Sequence, residues 1–79
     1  MAFDENTFRR VVIETLRIAP EKYQPNLRLG DVPEWDSIAH MDLVAALEEA
    51  FGVRVAADEI VELAGLEDLR ARMSQAPSE

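Results

Sequence analysis

The sequence predicts an all-α fold: a small four-helix bundle with three main helices, a short third helix and a long loop between the first two helices. Apolar residues recur at helical spacing in separate segments, and proline or glycine stands between these segments. A chain of 79 residues supports one domain with one modest core. Because we find no internal repeat, low-complexity tract or linker, we expect residues 1–79 to form a single domain, with 74–79 as a disordered tail.

The first helix is predicted to begin after Asp4 and to be closed by Pro20. Aspartate is a favoured helix N-cap, and proline cannot continue a helix. Between these two residues, a mainly apolar stripe recurs at helical spacing: Phe8, Val11, Val12, Thr15, Leu16 and Ala19.

The segment from Pro20 to Trp35 has no sustained period and contains Pro25, Gly30 and Pro33. Apolar residues nevertheless occur along it: Tyr23, Leu27, Leu29 and Val32. A structureless connection of this length is unusual in a compact domain, and its usual justification is a functional role. We therefore expect a long loop pinned to the core, with Trp35 covering one end of the core.

The second helix has the strongest periodic signal. It is predicted to start at Asp36-Ser37, to run through Phe51 and to stop at Gly52, which suits the position after a helix end. A step of about 100° per residue places one stripe toward the core: His40, Leu43, Val44, Leu47 and Phe51. The opposite side carries Ile38, Asp42, Ala45 and Glu49, with Met41 and Glu48 at the margin.

Two shorter helices are predicted to follow. Asp58 is expected to cap a third helix through Leu63, and Gly65 separates it from a fourth, which carries Leu66, Leu69 and Met73. Beside Trp35, the predicted core consists of Phe8, Val11, Val12, Leu16, Leu43, Val44, Leu47, Phe51, Leu66 and Leu69.

Composition limits the function. Sixteen acidic and eight basic residues give a net charge of −8, which argues against nucleic acid or an anionic membrane as the main partner and favours a basic protein surface. Since the chain has no cysteine, thioester chemistry would need an imported thiol. The N-terminus lacks a basic segment followed by an apolar run, and no apolar stretch approaches membrane-spanning length. We expect a cytoplasmic monomer.

The dipeptide Asp36-Ser37 is the first candidate for chemistry. If Asp36 caps the helix, Ser37 becomes the first helical residue and its hydroxyl points outward. A phosphodiester attached there would lie near the positive end of the helix dipole. Exposed or marginal Ile38 and Met41 beside it suit a docking surface. Taken alone, however, the dipeptide is more often a simple helix cap.

One segment of the chain contains the run Trp35-Asp36-Ser37-Ile38-Ala39-His40-Met41 and, after it, Leu43, Leu47-Glu48-Glu49 and Phe51-Gly52-Val53. This segment resembles the signature and following helix of acyl and peptidyl carrier proteins. The resemblance covers nearly the whole chain, including its length, its acidic balance and its long first loop. In that family, a phosphopantetheinyl transferase attaches 4′-phosphopantetheine from coenzyme A to the signature serine. The resemblance therefore implies a cofactor site at Ser37, with Asp36 beside it.

The same resemblance implies the partners. They would be the transferase, a ligase that loads an acyl or aminoacyl group, and downstream synthase enzymes, while the carrier itself catalyses no step. Their contact residues would be Asp36, Ile38, Met41, Asp42, Glu48 and Glu49. The cargo could be acyl, aminoacyl or peptidyl, and whether it folds back between the helices stays open.

One departure from the family pattern bears on the pathway. Ala39 stands where carriers of fatty-acid synthesis commonly have an acidic residue, and His40 follows it. This favours a discrete carrier of polyketide, nonribosomal-peptide or related specialised biosynthesis, with primary fatty-acid synthesis as an alternative.

Two other constellations are weaker. Asp36, Ser37 and His40 contain the residue types of a hydrolase triad, but His40 falls on the buried stripe, so a core histidine is expected. The acidic residues of the C-terminal third lack the spacing and central glycine of an EF-hand loop: Asp58, Glu59, Glu62, Glu67 and Asp68. We expect a solvated acidic surface there, with neither a metal site nor catalytic residues.

The alternative function is an unmodified acidic interaction module in which Ser37 is only a cap.

Overall fold

A computed structural model describes residues 3–75, which contain four α-helices. They are α1 (Glu5–Leu16), α2 (Ser37–Phe51), α3 (Ala57–Ile60) and α4 (Leu66–Met73). One 3-10 turn, Pro20–Lys22, lies between α1 and α2. Because the described residues contain no strand, only an isolated bridge, the predicted all-α fold is confirmed.

The first helix begins as predicted. The Asp4 carboxylate accepts hydrogen bonds from the backbone N–H of Asn6 at 3.1 Å and from the Thr7 hydroxyl at 2.7 Å. The bond from Thr7 is the main cause that lowers the pKa of Asp4. Asp4 therefore caps α1 with a charged acceptor.

The predicted end of this helix is wrong. α1 ends at Leu16, and Arg17 adopts the left-handed conformation with φ of 59°. The Arg17 N–H still donates to the carbonyl of Ile13 at 2.8 Å, which closes the last turn. Ala19 consequently precedes the 3-10 turn and does not continue the helical stripe.

The long connection before α2 is pinned to the core and to the start of α4. The Leu29 N–H donates to the carbonyl of Ala64, and the Leu66 N–H donates to the carbonyl of Leu27, both at 2.8 Å. Leu27 and Trp35 are buried. The loop therefore holds Trp35 against the core just before α2 begins.

The predicted start of the third helix is also wrong. Its N-cap is Ala56, not Asp58, which lies in the first turn. Ala56 has no side-chain acceptor, and its own N–H donates to the Glu59 carboxylate at 3.0 Å. The helix ends at Ile60, three residues before its predicted end.

The core lies where α1 and α4 pack on α2. Its buried apolar residues are Phe8, Val12, Leu16, Ile18, Leu27, Trp35, Leu43, Val44, Leu47, Val53, Leu66, Leu69 and Met73. The predicted core is confirmed except for Val11 and Phe51, which are half-buried at its edge. Phe51 stacks on Phe3, with ring centroids 5.2 Å apart.

The described part of the chain ends in a turn after α4. Of the predicted tail, Ser74 and Gln75 form a turn after α4, and residues 76–79 lie outside the described part of the chain. No helix within residues 3–75 is long and apolar enough to cross a membrane.

Candidate functional site

Ser37 is the first residue of α2, and its side chain is exposed. Asp36 precedes it with extended backbone and caps the helix. The Asp36 carboxylate accepts from the N–H of Ala39 at 2.8 Å, and its carbonyl accepts from the N–H of His40 at 2.8 Å. Asp36 thus does the capping, and the Ser37 hydroxyl makes no hydrogen bond to any residue between 3 and 75.

The start of α2 can also accept an anion. Within the described chain, the N–H groups of Ser37 and Ile38 have no acceptor, because the cap serves the next two donors. Free N–H groups and the helix dipole favour negative charge at this end. A phosphodiester on the Ser37 oxygen would therefore fit the residues that surround it.

An apolar recess of about 320 Å³ lies beside Ser37. We define it by the residues that line it: Leu29, Ser37, His40, Met41, Ile60, Val61 and Ala64. These residues come from the loop before α2, from α2 itself and from the segment around α3. The recess therefore offers apolar surface to any group attached to the serine oxygen.

A wider depression of about 430 Å³ lies at the other end of α2. Its lining includes Glu48, Gly52 and Arg54. This depression does not include Ser37, so the smaller recess is the one that belongs to the candidate site.

Exposed apolar side chains surround Ser37. Ile38 is 76% exposed, Met41 54%, Val61 77% and Leu29 37%. We call these four residues the apolar rim. Large apolar side chains concentrated in one place on a small protein mark a surface that contacts another molecule.

His40 has the core position that the sequence predicts, not a catalytic one. It is 4% exposed, and its Nδ1 accepts a hydrogen bond from Nε1 of Trp35 at 3.0 Å. Since an indole N–H can only donate, the imidazole proton lies on Nε2, which donates to the carbonyl of Ile60 at 3.0 Å. With both ring nitrogens engaged, the imidazole has none free to take a proton from Ser37.

The acidic residues predicted on the outer face of α2 fall into two groups. Asp42 and Glu49 are exposed, as is Asp36 before the helix. Glu48 differs, because its carboxylate accepts a hydrogen bond from the N–H of Val55 at 2.6 Å. Glu48 therefore holds the segment after α2 and has a structural role in this fold.

The acidic residues of the C-terminal third are partly paired. Glu59 forms a salt bridge of 3.3 Å with Arg72. The N–H of Ala56, first, and Arg72, second, lower the pKa of Glu59 below its ordinary value. Within residues 3–75, no group of three or more His, Cys, Asp or Glu side chains is placed to hold a metal ion.

Comparison with known proteins identifies the family. Residues 6–73 match the family described as "Phosphopantetheine attachment site". The chain is also 31% identical over 61 residues to an acyl carrier protein of Thermosynechococcus vestitus, and the alignment covers 77% of this chain and 75% of that protein. This chain belongs to the phosphopantetheine-binding carrier family.

Membership gives the general function. This carrier receives 4′-phosphopantetheine as a covalent group, and its general role is that of an acyl carrier. Carriers of this family interact with phosphopantetheinyl transferases and synthase enzymes, and the family is generally non-catalytic. The prosthetic group supplies the thiol that the cysteine-free chain lacks.

Several residues of the site were not expected from the sequence. Ile60, Val61 and Ala64 line the recess, although the sequence indicated only a short helix there. The one feature of the sequence that could have indicated apolar surface there was Val61, an apolar residue that lies between Ile60 and Glu62. Its role becomes visible only when α3 is placed beside α2.

Proposed function

We propose that Ser37 carries the 4′-phosphopantetheine arm, and that the thiol of the arm holds an acyl, aminoacyl or peptidyl group as a thioester. The observation that supports Ser37 most is its exposed and unbonded hydroxyl at the start of α2 beside the apolar recess. Two other hydroxyls are engaged in local hydrogen bonds: Thr7 donates to Asp4, and Ser74 donates to the carbonyl of Ala71.

Attachment needs a nucleophilic hydroxyl and a place for the new phosphodiester. The Ser37 oxygen forms a bond to the phosphorus that bears pantetheine in coenzyme A. The bond from that phosphorus to the pyrophosphate oxygen breaks, 3′,5′-ADP leaves and the hydroxyl proton is released. The carrier presents the oxygen and places the free N–H groups of Ser37 and Ile38 near the product anion, while the transferase supplies the catalytic groups.

Partner enzymes would dock on the outer face of α2. Asp42 and Glu49 are exposed there, and Ile38 and Met41 belong to the apolar rim next to Ser37. Charge would steer a basic partner toward this face, and the apolar residues would retain it once it is bound. Glu48 does not belong to this surface, because its carboxylate accepts a hydrogen bond from the backbone N–H of Val55.

The pathway that we propose is polyketide, nonribosomal-peptide or related specialised biosynthesis. The support is Ala39, which replaces the acidic residue that carriers of fatty-acid synthesis commonly have directly after the signature. The next residue, His40, is committed to the fold by its bonds to Trp35 and Ile60. Loading ligases for acyl and aminoacyl groups would be the first partners to assay.

The attachment is tested by intact mass. Apo protein incubated with coenzyme A, magnesium and a broad-specificity transferase should gain one phosphopantetheinyl group. Ser37→Ala should stay unmodified and keep the helical circular dichroism spectrum of the wild type. Labelling that persists in this variant would refute Ser37 as the site, and a wild-type chain that is never labelled would favour an unmodified interaction module.

A further inference from the structure

His40 lies between the apolar recess and the hydrophobic core. Its side chain lines the recess together with Ile60, yet only 4% of the residue is exposed. On its other side it contacts Trp35, with ring centroids 5.8 Å apart, and Trp35 belongs to the core with 1% exposure. The imidazole therefore forms the floor of the recess.

Two hydrogen bonds, from two different segments of the chain, hold the imidazole of His40 in this position. Trp35 comes from the loop before α2, and Ile60 is the last residue of α3. Each is joined to the imidazole by a hydrogen bond of 3.0 Å. Turning the ring aside would break both bonds and leave buried polar groups without partners. An aliphatic chain that entered would have no group to replace either bond.

The layer behind the floor is closely packed. Leu43, Val44 and Leu47 follow His40 along the inner face of α2, and none of them is more than 1% exposed. A chain that passed the imidazole would have to displace side chains from a core of close-packed density. Both the polar floor and the packed layer oppose entry.

We propose that His40 is a gate that keeps aliphatic cargo out of the core, so that an acyl chain on this carrier stays at the surface and only its first carbons reach the recess. The inference rests on the proposed attachment at Ser37, because that residue opens onto the recess. A partner enzyme would then meet an exposed acyl chain and would not have to extract it from the carrier.

The test compares two cargo lengths on the full chain. Apo protein is loaded from acetyl-CoA or octanoyl-CoA with the transferase, and intact mass verifies loading before melting, so a failed attachment and a failed gate give different readouts. A chain that entered the core would raise the Tm by about 3–6 °C for each methylene fully buried. We expect the two wild-type forms to melt within about 2 °C of each other.

A second readout follows the gate itself. Trp35 is the single tryptophan of the chain, so its indole N–H resonance reports the bond to His40 without ambiguity. We expect the same resonance position in the acetyl and octanoyl forms. A shifted indole resonance in the octanoyl form, or a Tm well above that of the acetyl form, would overturn the proposal.

His40→Ala should open the gate. Removing the ring leaves space between the recess and Trp35 that an aliphatic chain can fill. We expect the octanoyl form of this variant to melt at least about 5 °C above its acetyl form. Equal melting of the two forms would contradict the assignment of the barrier to His40.

Two control variants test whether the barrier to the acyl chain belongs to the His40 side chain and not to the residues around it. Val61→Ala trims the apolar rim at a side chain that is 77% exposed, and His40→Gln keeps a donor, an acceptor and most of the volume. Both should show the small chain-length dependence of the wild type, and a large one in Val61→Ala would count against the gate. If His40→Ala does not fold, the wild-type melting and the indole resonance decide the question.

Discussion

Neighbouring residues at the start of α2 have separate tasks. Asp36 turns its carboxylate to the N–H of Ala39, so the helix start is held without help from Ser37. The Ser37 hydroxyl stays available for reaction. One turn further, His40 is polar yet committed to the fold through Trp35 and Ile60. At this scale, hydrogen-bond partners decide whether a polar residue serves the fold or the chemistry.

Leu47→Ala tests the buried face of α2. Leu47 is 0% exposed, so its truncation removes buried methyl groups and leaves a cavity, which should lower the free energy of unfolding by about 2–5 kcal/mol. The matched control is Val61→Ala at an exposed position, which should change it by no more than about 0.5 kcal/mol. Denaturant titration measures both, and a loss below about 1 kcal/mol for Leu47→Ala would contradict the packing.

Arg17→Gly tests the end of α1. Arg17 has φ of 59°, a conformation in which a side chain is strained and glycine is not. Arg17→Ala removes the same charge but keeps a Cβ. We expect the glycine variant to be more stable than the alanine variant by about 1 kcal/mol. Equal free energies of unfolding for the two would show that this turn stores no backbone strain.

At the scale of elements, side-chain contacts join α1 and α4 and leave the outer face of α2 free. Arg70 of α4 binds the carboxylate of Glu5 in α1 through two nitrogens, at 2.9 and 3.0 Å. Arg70 also lies over the ring of Phe8, 5.2 Å from its centroid. The bond to Glu5 is the main cause that raises the pKa of Arg70. The outer face of α2 takes no part in these contacts of Arg70.

A pair of charge reversals tests that face. Asp42 and Glu49 are seven residues apart and lie about 10 Å apart along the helix axis on one side of α2. Glu49→Lys should raise the KM of the transferase reaction and weaken its dependence on salt, because steering by this face is lost. Glu67→Lys changes the net charge equally on α4 and should have little effect.

Transferase kinetics at low and moderate salt would distinguish the two variants. Equal impairment by Glu49→Lys and Glu67→Lys would show that only total acidity matters. The docking face on α2 would then have to be abandoned.

For the whole molecule, the sequence predicts best where a structural signal is local. Asp36 and Gly52 delimit α2 correctly, because capping and left-handed conformation depend on residue type. The end of α1 was missed because an arginine occupies the left-handed position where glycine would have marked it. The start of α3 was missed because the N-cap, Ala56, has no side-chain acceptor. Its backbone N–H donates instead to the carboxylate of Glu59, three residues further along the chain.

In the candidate site, too, local features could be predicted from the sequence and long-range ones could not. Ser37 and its cap are neighbours in the chain and could be predicted. The recess could not, because it forms only when Leu29, Ile60 and Val61 are brought to α2 by the packing of separate segments. The buried position of His40 follows from helical period, whereas its bonds to Trp35 and Ile60 depend on the tertiary fold.

Peptide mapping of the loaded carrier tests the central claim most directly. Cleavage after Arg28 and Arg54 releases residues 29–54, which contain Ser37 and no other serine, threonine or tyrosine. After incubation with coenzyme A and the transferase, we expect the whole added mass on this peptide and on no other. Added mass on a peptide outside residues 29–54 would contradict the assignment of Ser37 as the residue that carries the arm.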